Sequence, residues 1–121
     1  MRPILPIVIL GAACASTPPP TARVSASESA IRAASELGAA QTPEAQLHLT
    51  MAQEQLAKAK QLISDGDNEK ASWLLSRAQA DGELSVALAR EAQAKAKASE
   101  TQTKIRDAAS QVAPANPSQA R

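Results

Sequence analysis

His48 is the only histidine and Cys14 the only cysteine in this 121-residue chain. Glu44 lies four residues before His48 and Met51 three after it. On a helix that spacing puts all three on one face, where a carboxylate, an imidazole and a thioether can meet a metal ion. Structural and catalytic sites, however, need three or four converging ligands. No second histidine is present to complete the set. Glu44, His48 and Met51 are therefore weak metal candidates and no metal site is expected. His48 reads first as a surface or seam-edge side chain. Carboxylates are plentiful but matched: Glu54 with Lys58, Glu91 with Lys95 and Glu100 with Lys104 are i, i+4 pairs of a solvated helix face. No serine sits in a nucleophile elbow and no glycine-rich loop could cradle phosphate. The expectation is a protein that is not an enzyme and carries no cofactor.

Cys14 has a different chemistry. Arg2 is followed by the apolar run Ile4 to Leu10, and then by the small residues Gly11, Ala12 and Ala13. The run has the length of a signal-peptide h-region and falls well below the roughly 20 residues that span a bilayer. The arrangement resembles the lipobox of bacterial lipoproteins, in which the cysteine is acylated and becomes the first mature residue. Its usual leucine position is occupied by Gly11, with Leu10 one place further back. An ordinary small-x-small cleavage at Ala13-Cys14-Ala15, releasing a soluble protein, is the competing reading. If Cys14 is lipidated, several acyl chains hold the protein firmly, whereas one chain binds only marginally. Ala15 and Ser16 follow the cysteine, and neither is the aspartate that retains enterobacterial lipoproteins in the inner membrane. The expected location is the outer membrane, facing the periplasm. The major peptidoglycan-linked lipoprotein is attached through a terminal lysine amine, and Arg121 offers no such group, so no covalent peptidoglycan link is expected.

Removing residues 1–13 takes away Arg2 and leaves 12 cations against 12 anions. A nucleic-acid interface calls for a basic stripe and aromatic stacking platforms. This chain has no Phe, no Tyr and one Trp, and its charges alternate in sign, so no nucleic-acid partner is expected. Nor is there a polybasic patch for anionic lipid.

The elements that must position these residues are helical. Ala, Gln, Glu and Lys dominate, and all are strong helix formers. Large apolar residues are sparse after position 24, too few for a deep globular core but enough for a seam between helices. Residues 14–23 read as the lipidated cysteine and a Pro-rich tether in extended polyproline conformation, spacing the fold from the membrane. Residues 24–112 read as an Ala-rich helical domain, and 113–121 as a disordered tail. Within the domain a short helix runs from about Ser25 to Leu37, capped by Ser25 or Ser27 and stopped by Gly38. Thr42-Pro43-Glu44 starts a second helix: Thr42 as N-cap, Pro43 at the first position, and Glu44 on the positive end of the dipole. It runs to about Ser64. Asp65-Gly66-Asp67 reverses the chain, with Asp67 capping a third helix that starts near Asn68 and meets no proline before Pro114.

Ala45, Leu49, Ala52, Leu56, Ala59 and Ile63 repeat in steps of four and three. A matching seam of small residues follows: Ala71, Leu75, Ala78, Gly82, Ser85, Ala89, Ala92, Ala96 and Ser99. The fold class is all-α: an antiparallel helical hairpin with a long C-terminal helix, plus a short N-terminal helix. Trp73, Leu74, Leu84 and Leu88 lie beside the seam and are expected to cover the short helix. Trp73, Leu84 and Leu88 are also the candidate residues for a protein partner or for self-association.

The order of these features, from lipobox and proline tether through Thr42-Pro43-Glu44, Leu56-Ala57-Lys58-Ala59-Lys60 and Asp65-Gly66-Asp67-Asn68-Glu69-Lys70-Ala71 to a long Ala/Gln/Lys helix, resembles the bacterial family catalogued as domain of unknown function 4398. The resemblance covers roughly Cys14 to Ala98. It implies a small envelope lipoprotein with no assigned catalytic residue. Asn68 stands where the family often has an aromatic, and the chain's Trp comes later, at Trp73. The function expected is a lipid-anchored periplasmic protein with a structural or protein-binding role. A small-ligand or metal-binding module built on Glu44, His48 and Met51 is the alternative.

Overall fold

The computed structural model describes residues 17–112, and the expected signal peptide, Cys14 and the tail lie outside them. Among the described residues there are three α-helices and no strand: α1 (Thr21–Glu36), α2 (Pro43–Ser64) and α3 (Asn68–Val112), with a 3-10 turn at Ala39–Gln41 between α1 and α2. This is the expected all-α hairpin with a short helix before it.

The first helix begins earlier than its serines suggested. Arg23 N and Val24 N donate to Pro20 O, so α1 starts as soon as the proline run stops removing backbone donors. Thr21, Ala22 and Arg23, assigned above to the tether, are helical. Ser27 is not a cap: it is buried inside the helix, where its Oγ lies 2.9 Å from both Arg23 O and Leu75 O and its single proton is shared between the two carbonyls. Gly38 does end the helix, with φ of 74° and its N–H on Ser35 O. Thr42 precedes Pro43 with extended backbone but makes no side-chain cap bond; its carbonyl accepts from Gln46 N.

Gly66 closes the hairpin at φ of 83°. Asp67 N donates to Leu62 O and Gly66 N to Ile63 O, the paired bonds of a Schellman motif. The Asp67 carboxylate accepts from Lys70 Nζ at 3.0 Å.

Contacts set the helix directions. Ser85 Oγ donates to Ala45 O and His48 meets Asp81, so α2 runs antiparallel to α3. Arg23 lies by Ser76 and Gln93 Nε2 reaches Leu37 O, so α1 runs parallel to α3. The seam is buried as expected from Ala45, Leu49, Ala52 and Ala59 on α2 and from Ala71 to Ala89 on α3. Gly82 lets α1 approach α3 closely, because a Cβ there would lie 2.9 Å from Ala30 Cβ. Ala96 and Ser99 are not buried: every residue from Gln93 to Val112 is exposed, as α3 runs on past the first turn of α2. No helix among the described residues is long and apolar enough to cross a membrane.

Candidate functional site

His48 sits on the second turn of α2 and faces α3 rather than solvent. Its Nδ1 lies 2.9 Å from Asp81 Oδ1, and Gln55 Nε2 donates to Asp81 Oδ2 at 2.7 Å. The three side chains are part-buried, and Gln55 Oε1 is buried without a partner. A carboxylate that accepts from both an imidazole and an amide pins α2 to α3 through polar groups, which is expensive to break once water is excluded. Sequence reading placed His48 with Glu44 and missed Asp81, which is distant in sequence. Glu44 is exposed, Met51 is part-buried, and among the described residues no three His, Cys, Asp or Glu side chains come together. The cluster orients helices; no hydroxyl or thiol is hydrogen-bonded to the imidazole among the described residues, so it lacks the nucleophile of a triad.

The proposed partner-binding residues separate. Trp73 is 72 % exposed and does not cover α1. At 3.6 residues per turn it stands about half a turn from Gly82, the residue against which α1 packs, and it meets α1 only at that helix's first turn, in a cleft shared with Arg23. Leu84 is 43 % exposed and likewise free of α1. Leu88 instead packs, half-buried, on the cluster of Ala34, Ala39, Ala45, Leu49 and Ala89.

A second apolar stripe emerges beyond the three-helix body. Ala94, Ala98, Thr101, Ile105, Ala108 and Val112 recur in steps of four and three on a face of α3 different from the buried seam. Ile105 is 65 % and Val112 81 % exposed, and Ala94, Lys97, Ala98, Thr101, Gln102 and Ile105 line a shallow depression. The periodicity was present in the sequence. It was masked by the small-residue seam, which continues in register through Ala96 and Ser99. A further groove between α1 and α3 is lined by Ala30, Ala33, Val86, Ala87, Glu83 and Arg90.

Surface electrostatics are local. The Lys60 ammonium hydrogen-bonded to Glu28 holds that carboxyl below its usual value and ties α1 to α2. Lys95 does the same to Glu91 within α3, and Glu91 in turn raises the Lys95 ammonium.

No curated protein matches the chain, and no solved structure matches it. The family model described as Domain of unknown function (DUF4398) matches residues 22–101, which span α1, the 3-10 turn, α2 and most of α3. That match covers more than half of the sequence and includes both turns and the whole buried seam; the chain belongs to this family.

Proposed function

We propose that the protein is a lipid-anchored component of a bacterial envelope, held at the outer membrane and facing the periplasm, with a non-catalytic role in binding another protein or a second copy of itself. One observation carries the binding role: α3 continues past α1 and α2 as a helix whose residues from Gln93 to Val112 are all exposed. A helix without tertiary neighbours is marginal in water, and stable helices in proteins draw most of their stability from packing one face. The stripe through Ala98, Thr101 and Ile105 offers such a face. Small residues on it allow a partner helix to approach closely.

The polarity of the bundle supports the anchor. The chain enters at Thr17, beside the α2–α3 turn, and the free part of α3 points to the opposite end. At 1.5 Å per residue residues 94–112 reach about 28 Å beyond the body. A lipid on Cys14 would therefore leave the binding face far from the membrane.

Photocrosslinking residues placed at Ala98 and Ile105, compared with one at Ala57 on the exposed face of α2, test the role in cells. The expected result is a discrete crosslinked species from the α3 positions only, with the species from position 98 lost on Ile105→Asp and no change in melting temperature. A strictly monomeric protein with no crosslink at either position would refute it. Labelling with a palmitate analogue, lost in Cys14→Ala, tests the anchor separately.

A further inference from the structure

The tether expected to space the helices from a membrane is largely taken up by the fold. Asn68 Nδ2, at the start of α3, donates to the carbonyl of Thr17 at 2.6 Å, and α1 begins at Thr21. Only Ala15 and Ser16 separate Thr17 from Cys14. Three steps of fully extended chain reach at most about 11 Å. Thr17, Arg23, Glu69, Ser72, Trp73 and Ser76 line one cleft of about 260 Å³ at this end of the bundle. Trp73 lies five positions from the start of α3, about 8 Å along its axis. Helical side chains tilt toward the N-terminus, which directs the indole toward the turn that carries Thr17.

We infer that Trp73 docks on the lipid bilayer, its indole at headgroup depth beside the acylated Cys14, and that the bundle stands upright on the membrane with the tip of α3 farthest from it. The inference rests on the lipid anchor proposed above. An exposed Trp also serves as a protein hot spot, but here the chain itself sets the distance: an acylated Cys14 brings a 72 % exposed indole to within a few residues' reach of lipid. An indole suits that depth, because its body is apolar and its N–H stays wet. The surrounding charges cancel: Asp65, Asp67 and Glu69 offset Arg23, Lys70 and Arg77. Docking therefore needs no anionic lipid and resists salt, unlike a polybasic contact.

Trp73 is the only tryptophan, so indole emission reports on it alone. The full-length acylated protein, its lipid verified by mass spectrometry, is reconstituted into phosphatidylcholine vesicles with bromine on shallow or deep acyl carbons. The expected result is a blue shift relative to the unacylated Cys14→Ala protein and at least about two-fold quenching, stronger for shallow bromine, as for an indole at the interface. In the double variant Trp73→Phe with Ile105→Trp, the indole sits about 48 Å further along α3 and is expected to stay water-like and unquenched. Acylated protein with a water-like, unquenched Trp73 overturns the docking and leaves the anchor intact. Equal quenching at position 105 overturns the upright orientation. A Cys14 found without acyl chains overturns the anchor and the docking together. A blue shift produced only by added envelope protein, without bromine quenching, assigns Trp73 to a protein partner instead and overturns the docking.

Discussion

Gly82→Ala offers the sharpest test of how α1 is held. In an exposed helix interior the change should stabilise by about 0.8–1 kcal/mol, because alanine is the best helix former and glycine among the worst. Here the new methyl would lie 2.9 Å from Ala30 Cβ, 3.2 Å from Ala30 C and 3.3 Å from Ile31 N. Carbon pairs are most favourable at about 3.5–4.0 Å, so α1 must retreat by roughly half an ångström or more. Two of the three atoms are backbone and cannot rotate aside. A gap of that size forfeits a quarter to a half of each dispersion contact along the interface and stretches the 2.9 Å bond from Ser27 to Leu75 O. Overpacking of this kind costs about 1–3 kcal/mol, which outweighs the propensity gain. The net expectation is a loss of about 1 kcal/mol, read as a fall in melting temperature of roughly 4–8 °C by circular dichroism. Adding Ala30→Gly removes the shortest contact, so the double-mutant cycle should show a favourable coupling of about 0.5–1 kcal/mol. A rise in melting temperature for Gly82→Ala, with no coupling to position 30, would show that α1 does not rest on Gly82.

Three further outcomes follow from burial and pairing. Leu75→Ala removes the largest fully buried side chain and should cost about 2–5 kcal/mol, whereas Trp73→Ala, on the same helix, should stay within about 0.5 kcal/mol of the parent in chemical denaturation. Asp81→Ala strips His48 and Gln55 of a shared acceptor and should destabilise by about 1–3 kcal/mol; combined with His48→Ala, the two losses should be less than additive. Glu28 and Glu91 have lowered values in the folded state, so their contribution is fully present above the unfolded carboxylate range, declines as pH falls below it, and is gone once pH has passed their lowered folded-state values. Both pairs are solvent-exposed, so melting temperature should fall only slightly on acidification, and the slope should flatten further in high salt.

Features set by near neighbours in the chain were legible without coordinates. Pro43 at the head of α2, the left-handed glycines at 38 and 66, and the four-three seam as far as Ala89 depend on local backbone preference and on helical period. The antiparallel hairpin follows from them, because the short turn at Gly66 leaves α3 nowhere else to pack. The candidate site was legible only in part. His48 was singled out, but its partner Asp81 lies on another helix, and its identity depends on the register of α2 against α3. Ser27 has the residue type of a cap and became a buried donor, because α1 began one turn earlier, directly after Pro20. Trp73 was expected to cover α1, yet its angular position on α3 leaves it 72 % exposed, meeting α1 only beside Arg23.

Residue order alone therefore determined the helices and their breaks, which are short-range properties of backbone and composition. Which groups met across helices was decided by tertiary packing: His48 with Asp81, Thr17 with Asn68, Gly82 beneath Ala30, and the end of α3 left bare. Those contacts join residues 33 to 52 positions apart, and a difference of one residue in register would exchange every one of them.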